Sequence, residues 1–234
     1  MSDNQRKRNS EKQSYNVTAD CSGAWQNSAA NINKEKLEIC GHPVMESWES
    51  FYMLELAKTA SKNGGRILEV GFGLGIASRH IQSFGISEHV IIEANVDVFK
   101  TLIEFSKTAE YKVIPILGKW ESVIDLLADE YFDGVLYDTY PLNEEQMHSH
   151  QFAFIHKAKR IMKSGGRLTY CNLTSWGNLR KEYTSVELFK LTQAPKIEKA
   201  GFRNYSFHIV EVNPPETCPY YNFNDVIVPC VRKD

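Results

Sequence analysis

From residue 64 onward, short apolar runs alternate with helix-patterned stretches, and no other feature limits the fold of this 234-residue chain as much. Residues 66–71 (RILEVG), 89–95 (HVIIEAN), 112–118 (KVIPILG), 132–138 (FDGVLYD) and 166–173 (GRLTYCNL) read as strands. Helical periodicity fills the intervals 75–84, 96–107, 122–128 and 144–162, with a further helix within 182–200. Strands of this length alternating with helices make βαβ units, so the pattern predicts a mostly parallel sheet covered on both faces. Two longer segments, 202–212 and 221–231, are separated by Asn213-Pro214-Pro215, a breaker that helix cannot cross. They complete a seven-stranded, doubly wound α/β sheet with an antiparallel strand at its C-terminal end.

Ahead of the sheet, Pro43 is placed to open a helix running to Ala60, since proline suits a first helical turn. On that helix Met45, Glu49 and Met53 recur at i, i+4 and i+8 and share a face, beside a stripe of Trp48, Tyr52 and Leu56. The expected organisation is a flexible arm over residues 1–20 and a single domain over 21–234. Within that domain, residues 21–63 form a helical lid and front helix, and 64–234 the sheet.

The sharpest motif is Glu69-Val70-Gly71-Phe72-Gly73-Leu74-Gly75, where the first strand meets its helix. Glycines allow a tight turn and let backbone approach a ligand beside the helix start. Glu93 falls 22 residues after Gly71 at the end of the second strand, where a carboxylate can accept both ribose hydroxyls. A dinucleotide fingerprint starting at Gly71 would want a small residue at position 76, and Ile76 stands there. The alternate glycines behind Glu69 instead resemble the E/D-x-G-x-G-x-G pattern of class I S-adenosylmethionine-dependent methyltransferases, a Rossmann-like class. That resemblance implies that Glu69 lies near the methionyl ammonium and sulfonium.

Further segments resemble one family in that class, the guanidinoacetate N-methyltransferases. They are Ala24-Trp25, Gly41-His42-Pro43-Val44-Met45-Glu46-Ser47-Trp48-Glu49, Gly64 through Gly73, Tyr137-Asp138-Thr139-Tyr140-Pro141, and Cys171-Asn172-Leu173-Thr174-Ser175-Trp176-Gly177. The resemblance runs from about residue 21 to the C-terminus. It implies methyl transfer from S-adenosylmethionine to guanidinoacetate, giving creatine and S-adenosylhomocysteine. The cofactor would lie against Phe72, Gly73, Leu74, Gly75, Ile76 and Ala77. Glu93 would hold the ribose, next to Ala94 and Asn95, with Trp120 and Glu121 beside the adenine. Met45 and Met53 would flank it, and Trp25 would close over the site. Glu49 and Asp138 would be the catalytic pair that grips the guanidinium, and Thr174 and Ser175, in a loop, would hold the substrate carboxylate. The departures are Gly75 and Ser78 where the family has alanine, and Ser164 in place of a proline.

Two cations must meet in such a site. At 4 Å, like unit charges repel by about 4 kcal/mol at an effective dielectric near 20, which two carboxylates beside the acceptor offset. The alternatives are a protein arginine N-methyltransferase of related fold and a cofactor-binding module without catalysis.

A net charge of −2 argues against a general nucleic-acid or anionic-membrane binder, and no apolar run approaches a membrane span. Five scattered cysteines without a C-x-x-C point to a reducing, cytoplasmic setting without a metal. His148 and His150, at i and i+2, do not face each other on a helix and read as surface residues. A monomer acting on a small guanidino acid is the expectation.

Overall fold

A computed structural model describes residues 24–143 and 145–234. The arm expected over 1–20 lies outside the described residues, as does Glu144. The first described elements correct the reading of the N-terminal region. In place of a helical lid there is a three-stranded antiparallel sheet, β1 (Ala30–Ile32), β2 (Lys36–Ile39) and β3 (His42–Glu46). Pro43 sits in β3, an edge strand, where its missing N–H costs no ladder bond. Met45 is therefore on a strand, and the proposed helical face of Met45, Glu49 and Met53 does not exist as one surface.

A 3-10 turn over Ser47–Glu49 leads into α1 (Ser50–Ala60). Glu46 and Glu49 form a reciprocal capping box at this entry: the Glu49 carboxylate accepts the Glu46 N–H at 2.8 Å, and the Glu46 side chain accepts the Glu49 N–H. Tyr52, Met53, Leu56, Ala57 and Ala60 form the inner face of α1, which packs on the main sheet. Burying each large side chain there stabilises the packing by about 1.5–3 kcal/mol. The approach is close enough that a Cβ on Gly134, in the sheet beneath, would fall 2.0 Å from the Ala60 carbonyl oxygen.

The main sheet contains β4 (Gly65–Val70), β5 (Ile86–Glu93), β6 (Val113–Leu117), β7 (Phe132–Tyr137), β8 (Met162–Tyr170), β9 (Asn204–Glu211) and β10 (Asp225–Arg232). Its order is β6-β5-β4-β7-β8-β10-β9. The pairs β4–β5, β4–β7, β5–β6 and β7–β8 are parallel, and β10 is antiparallel to both β8 and β9. The expected mostly parallel seven-stranded sheet, with its antiparallel C-terminal strand, is what forms.

The connecting helices are α2 (Ile76–Gln82), α3 (Val96–Ser106), α4 (Trp120–Val123), α5 (His150–Ile161), α6 (Leu173–Leu179), α7 (Ser185–Leu188) and α8 (Ala194–Lys199). Several boundaries differ from expectation, three of them around the site. Helix α5 starts at His150, because Ser149 and His150 both donate to the Gln146 carbonyl in a preceding turn. Met162 opens β8 instead of closing the helix. Residues 171–173 leave the sheet, so the C-N-L-T-S-W-G stretch, expected as a loop, runs into α6.

Candidate active site

The carboxyl ends of β4, β5, β7 and β8 open into one cavity, the edge at which open α/β sheets bind ligands. Gly71 has φ +93, and a Cβ there would fall 1.8 Å from the Asp138 carbonyl oxygen. Only glycine lets the ends of β4 and β7 come this near. Over the loop lies β3, with Leu74 N–H 3.3 Å from Met45 Sδ.

Beside that loop Glu93 is buried and surrounded by donors. Its Oε2 accepts Phe72 N–H at 2.9 Å and its Oε1 accepts Asn95 N–H at 2.7 Å. Burial raises its pKa, opposed by N–H groups of Asn95, Phe72, Ala94 and Gly73. The Asn95 side chain accepts from Asp97 and Val98 N–H, capping α3, and donates to the carbonyls of Trp25 and Ser28 at 2.8 Å each. Trp25 in turn stacks on Tyr140, with centroids 5.3 Å apart and planes 7° from parallel. The acid, the glycine loop and the N-terminal cover thus belong to one hydrogen-bonded assembly.

The cavity also holds Glu49 and Asp138. Burial and the nearby Asp138 push Glu49 from 4.5 to about 8. Burial also pushes Asp138 from 3.8 to about 7, opposed by a hydrogen bond from the Cys171 thiol and reinforced by the field of Glu69. The cavity lining carries Glu49, Glu93, Glu121 and Asp138 against Lys119. Its field favours a cation.

Of the residues singled out from sequence, Trp25, Met45, Glu49, Gly73, Glu93, Ala94, Trp120, Glu121, Asp138 and Thr174 line this cavity. The others do not. Met53 is fully buried in the inner face of α1. Phe72 turns its ring to Phe105 and, with Leu74 and Ile76, lines a separate hollow instead, while Gly75, Ala77 and Asn95 do not border the cavity. Ser175 is fully buried, and its hydroxyl shares a hydrogen bond with His148 Nδ1. Glu69 is likewise fully buried under the loop, taking the Ser78 hydroxyl at 2.6 Å and facing His89 Nε2 at 2.9 Å. The acid expected near a methionyl ammonium thus ties α2 to β5 through Ser78 and His89.

His150, read as a surface residue, lines the cavity; burial lowers its pKa to about 4, so it is neutral at pH 7. Among the described residues no group of three or more His, Cys, Asp or Glu could hold a metal. Tyr220 was missed altogether. Its hydroxyl donates to Glu49 Oε1 at 2.7 Å. A signal existed: β9 runs with the parallel strands, so the loop after it, with Pro214-Pro215 and Tyr220-Tyr221, leaves from the carboxyl edge where the site lies.

Solved structures share the fold. Spermidine synthase from Thermotoga maritima superposes with a TM-score of 0.62 at 13% identity, covering 88% of this chain and 72% of that one. M. jannaschii TYW2, in complex with AdoMet, gives 0.56 at 12% identity, covering 88% and 84%. Among curated proteins, Protein arginine N-methyltransferase 2 of Kluyveromyces lactis is 33% identical over 111 residues, and that of Candida glabrata 35% over 111. Each match covers 44% of this chain and 27% of the relative, so the chain spans about a quarter of the length of these relatives. The model of one family, Guanidinoacetate N-methyltransferase, matches residues 13–234. Since that match takes in the N-terminal cover, the glycine loop and both cavity acids together, the chain belongs to the guanidinoacetate N-methyltransferase family.

Proposed function

We propose that the protein transfers the methyl group of S-adenosylmethionine to guanidinoacetate, giving creatine and S-adenosylhomocysteine. One observation carries this reading: Glu49, buried, and Asp138, half-buried, line the same cavity near enough for the charge of Asp138 to act on Glu49, and the glycine loop borders that cavity too. Two like charges held together out of water call for a cation with donors on two sides, and a guanidinium is such a cation.

The residues present fit S-adenosylmethionine. Glu93, its carboxylate oriented by backbone N–H groups, borders the cavity where ribose hydroxyls would meet it. Trp120 and Glu121 border the same cavity as the adenine's neighbours, and Met45 lies across the glycine loop. When bound, the cofactor supplies a methyl group on a sulfonium.

Glu49 and Asp138 hold the acceptor plane by paired, charge-assisted hydrogen bonds and aim one nitrogen at the methyl group. A free guanidinium, with a pKa of about 12.5–13.8, keeps its proton until the new bond forms. Asp138 then takes that proton, while Glu49 stays as clamp. Thr174, with N–H groups in the first turn of α6 that have no intrahelical acceptor, receives the carboxylate. Ser175 contributes backbone only, its hydroxyl being committed to His148.

The curated relatives favour a second reading, methylation of arginine in a protein. The Trp25–Tyr140 stack beside the cavity favours the small acid instead. The deciding experiment incubates the protein with S-adenosylmethionine and a panel of guanidinoacetate, longer guanidino acids and arginine peptides, with products read by mass. Creatine as the main product supports the proposal; methylated peptide alone rejects it in favour of the second reading.

A further inference from the structure

Glu49 is held asymmetrically. Its Oε1 accepts two donors, Glu46 N–H at 2.8 Å and the Tyr220 hydroxyl at 2.7 Å. These fill that oxygen's acceptor positions and leave Oε2 for the cavity. Tyr220 itself has little freedom. Its ring lies 6.1 Å from that of Trp48, and Trp48 Nε1–H donates to the Glu46 carboxylate at 2.8 Å. Its backbone presses on α6: a Cβ on Gly177 would meet the Tyr220 carbonyl oxygen at 1.9 Å. The loop between β9 and β10 therefore bridges the two places that would grip the acceptor, Glu49 and the start of α6.

We propose that Tyr220 is a positioning residue for the methyl acceptor, its phenol locking Glu49 Oε1 so that Oε2 faces Asp138 across the guanidinium. The inference rests on the guanidino-acceptor reading of this cavity. Tyr220 never touches the reacting nitrogen; it acts through Glu49. The groups facing Glu49 are Asp138, Cys171 and Cys218 from neighbouring elements, Tyr220 from its loop, and Glu46 from the same turn. None of these is a cation. Tyr220 is thus the side-chain donor that stabilises the charged form of Glu49, and burial beside that acid keeps the phenol protonated.

Tyr220→Phe keeps the ring against Trp48 and removes only the hydroxyl. A lost hydrogen bond to a charged group predicts a rise of about 10- to 100-fold in KM for guanidinoacetate. Without the donor, Glu49 holds its proton more tightly. The acidic limb of kcat/KM then moves to higher pH by about one unit, while S-adenosylmethionine affinity and melting temperature stay near wild type. A residue that merely packed the loop would leave that limb in place. Carboxyl NMR of protein labelled at glutamate, with Glu49→Gln to assign the signal, follows the same titration without turnover. A Glu49 midpoint unchanged by Tyr220→Phe overturns the proposal, as does an unchanged acidic limb. If wild type methylates no guanidino acid, the functional reading fails, and the carboxyl titration still decides whether Tyr220 holds Glu49.

Discussion

Within the one cavity, Glu93 is a buried acid ringed by backbone N–H groups, whereas Glu49, buried, and Asp138, half-buried, are two acids set near each other. Burial raises the pKa in all three, but at Glu93 four backbone N–H groups oppose it, whereas at Glu49 the field of Asp138 adds to it and only Glu46 N–H and the Tyr220 hydroxyl oppose it. The first setting suits neutral hydroxyls. The second is left electrostatically incomplete, and a cation completes it. On the proposed function, one cavity would sort two ligands by charge with the same functional group, because the backbone supplies donors around Glu93 and withholds most of them from the Glu49–Asp138 pair.

The largest expected effects fall on the Glu49–Asp138 pair. Asp138→Asn lowers kcat about 10²- to 10⁴-fold in single-turnover assays if Asp138 takes the proton, while Glu49→Gln acts mainly on acceptor KM. Equal losses from the two, after correction for binding, would erase the distinction drawn between them. Glu93→Gln breaks the other setting: S-adenosylmethionine affinity falls about 10- to 100-fold in calorimetry, with kcat at saturation little changed. Loss of acceptor binding alone would show that the two settings had been assigned the wrong way round.

The contrast also has a pH signature. With Asp138 near 7 and Glu49 near 8 in the free cavity, binding a guanidinium displaces protons, so acceptor KM rises about tenfold per unit as pH falls from 8 to 7 and about a hundredfold per unit well below 7, where both acids are protonated. Calorimetry in buffers of different ionisation heat measures the release. Stability moves the opposite way. Raised carboxyls stabilise the ligand-free fold while protonated, and that contribution is lost as pH rises from 4.5 through about 8 for Glu49. Glu49→Gln should flatten this fall in thermal melts across that window.

Gly71→Ala tests the junction between β4 and β7; clash with the Asp138 carbonyl and a positive φ should cost about 2–4 kcal/mol in denaturant melts. The smallest effect belongs to the cover. Trp25→Ala removes a stack of about 0.5–1.5 kcal/mol and should raise acceptor KM a few-fold. If it instead gives arginine peptides access, the cover is what restricts the acceptor to small acids.

Legibility divides along similar lines. The glycine loop, Glu93 and Asp138 could be read because each ends a strand whose apolar run is continuous, and a βαβ unit places strand ends at one edge. The front acid was found only through its motif. Glu49 lies on a turn after an edge strand, and Pro43, read as a helix opener, concealed that strand. Ser175 and His150 were misplaced for a related reason. Whether a polar side chain at an element's start points into a cavity or at a neighbour depends on the packing of another element, here the turn bearing His148.

The amino-acid order by itself determined the parallel sheet, its seven strands and the glycine turn at the end of the first, because periodicity and turn chemistry are local; the pairing of Glu49 with Asp138 came from the family resemblance. Only the tertiary structure decided which oxygen of Glu49 is free and which tyrosine holds the other. That contact joins residues 171 positions apart through a loop with no periodic signal, and it forms only when α1, α6 and the last two strands have packed.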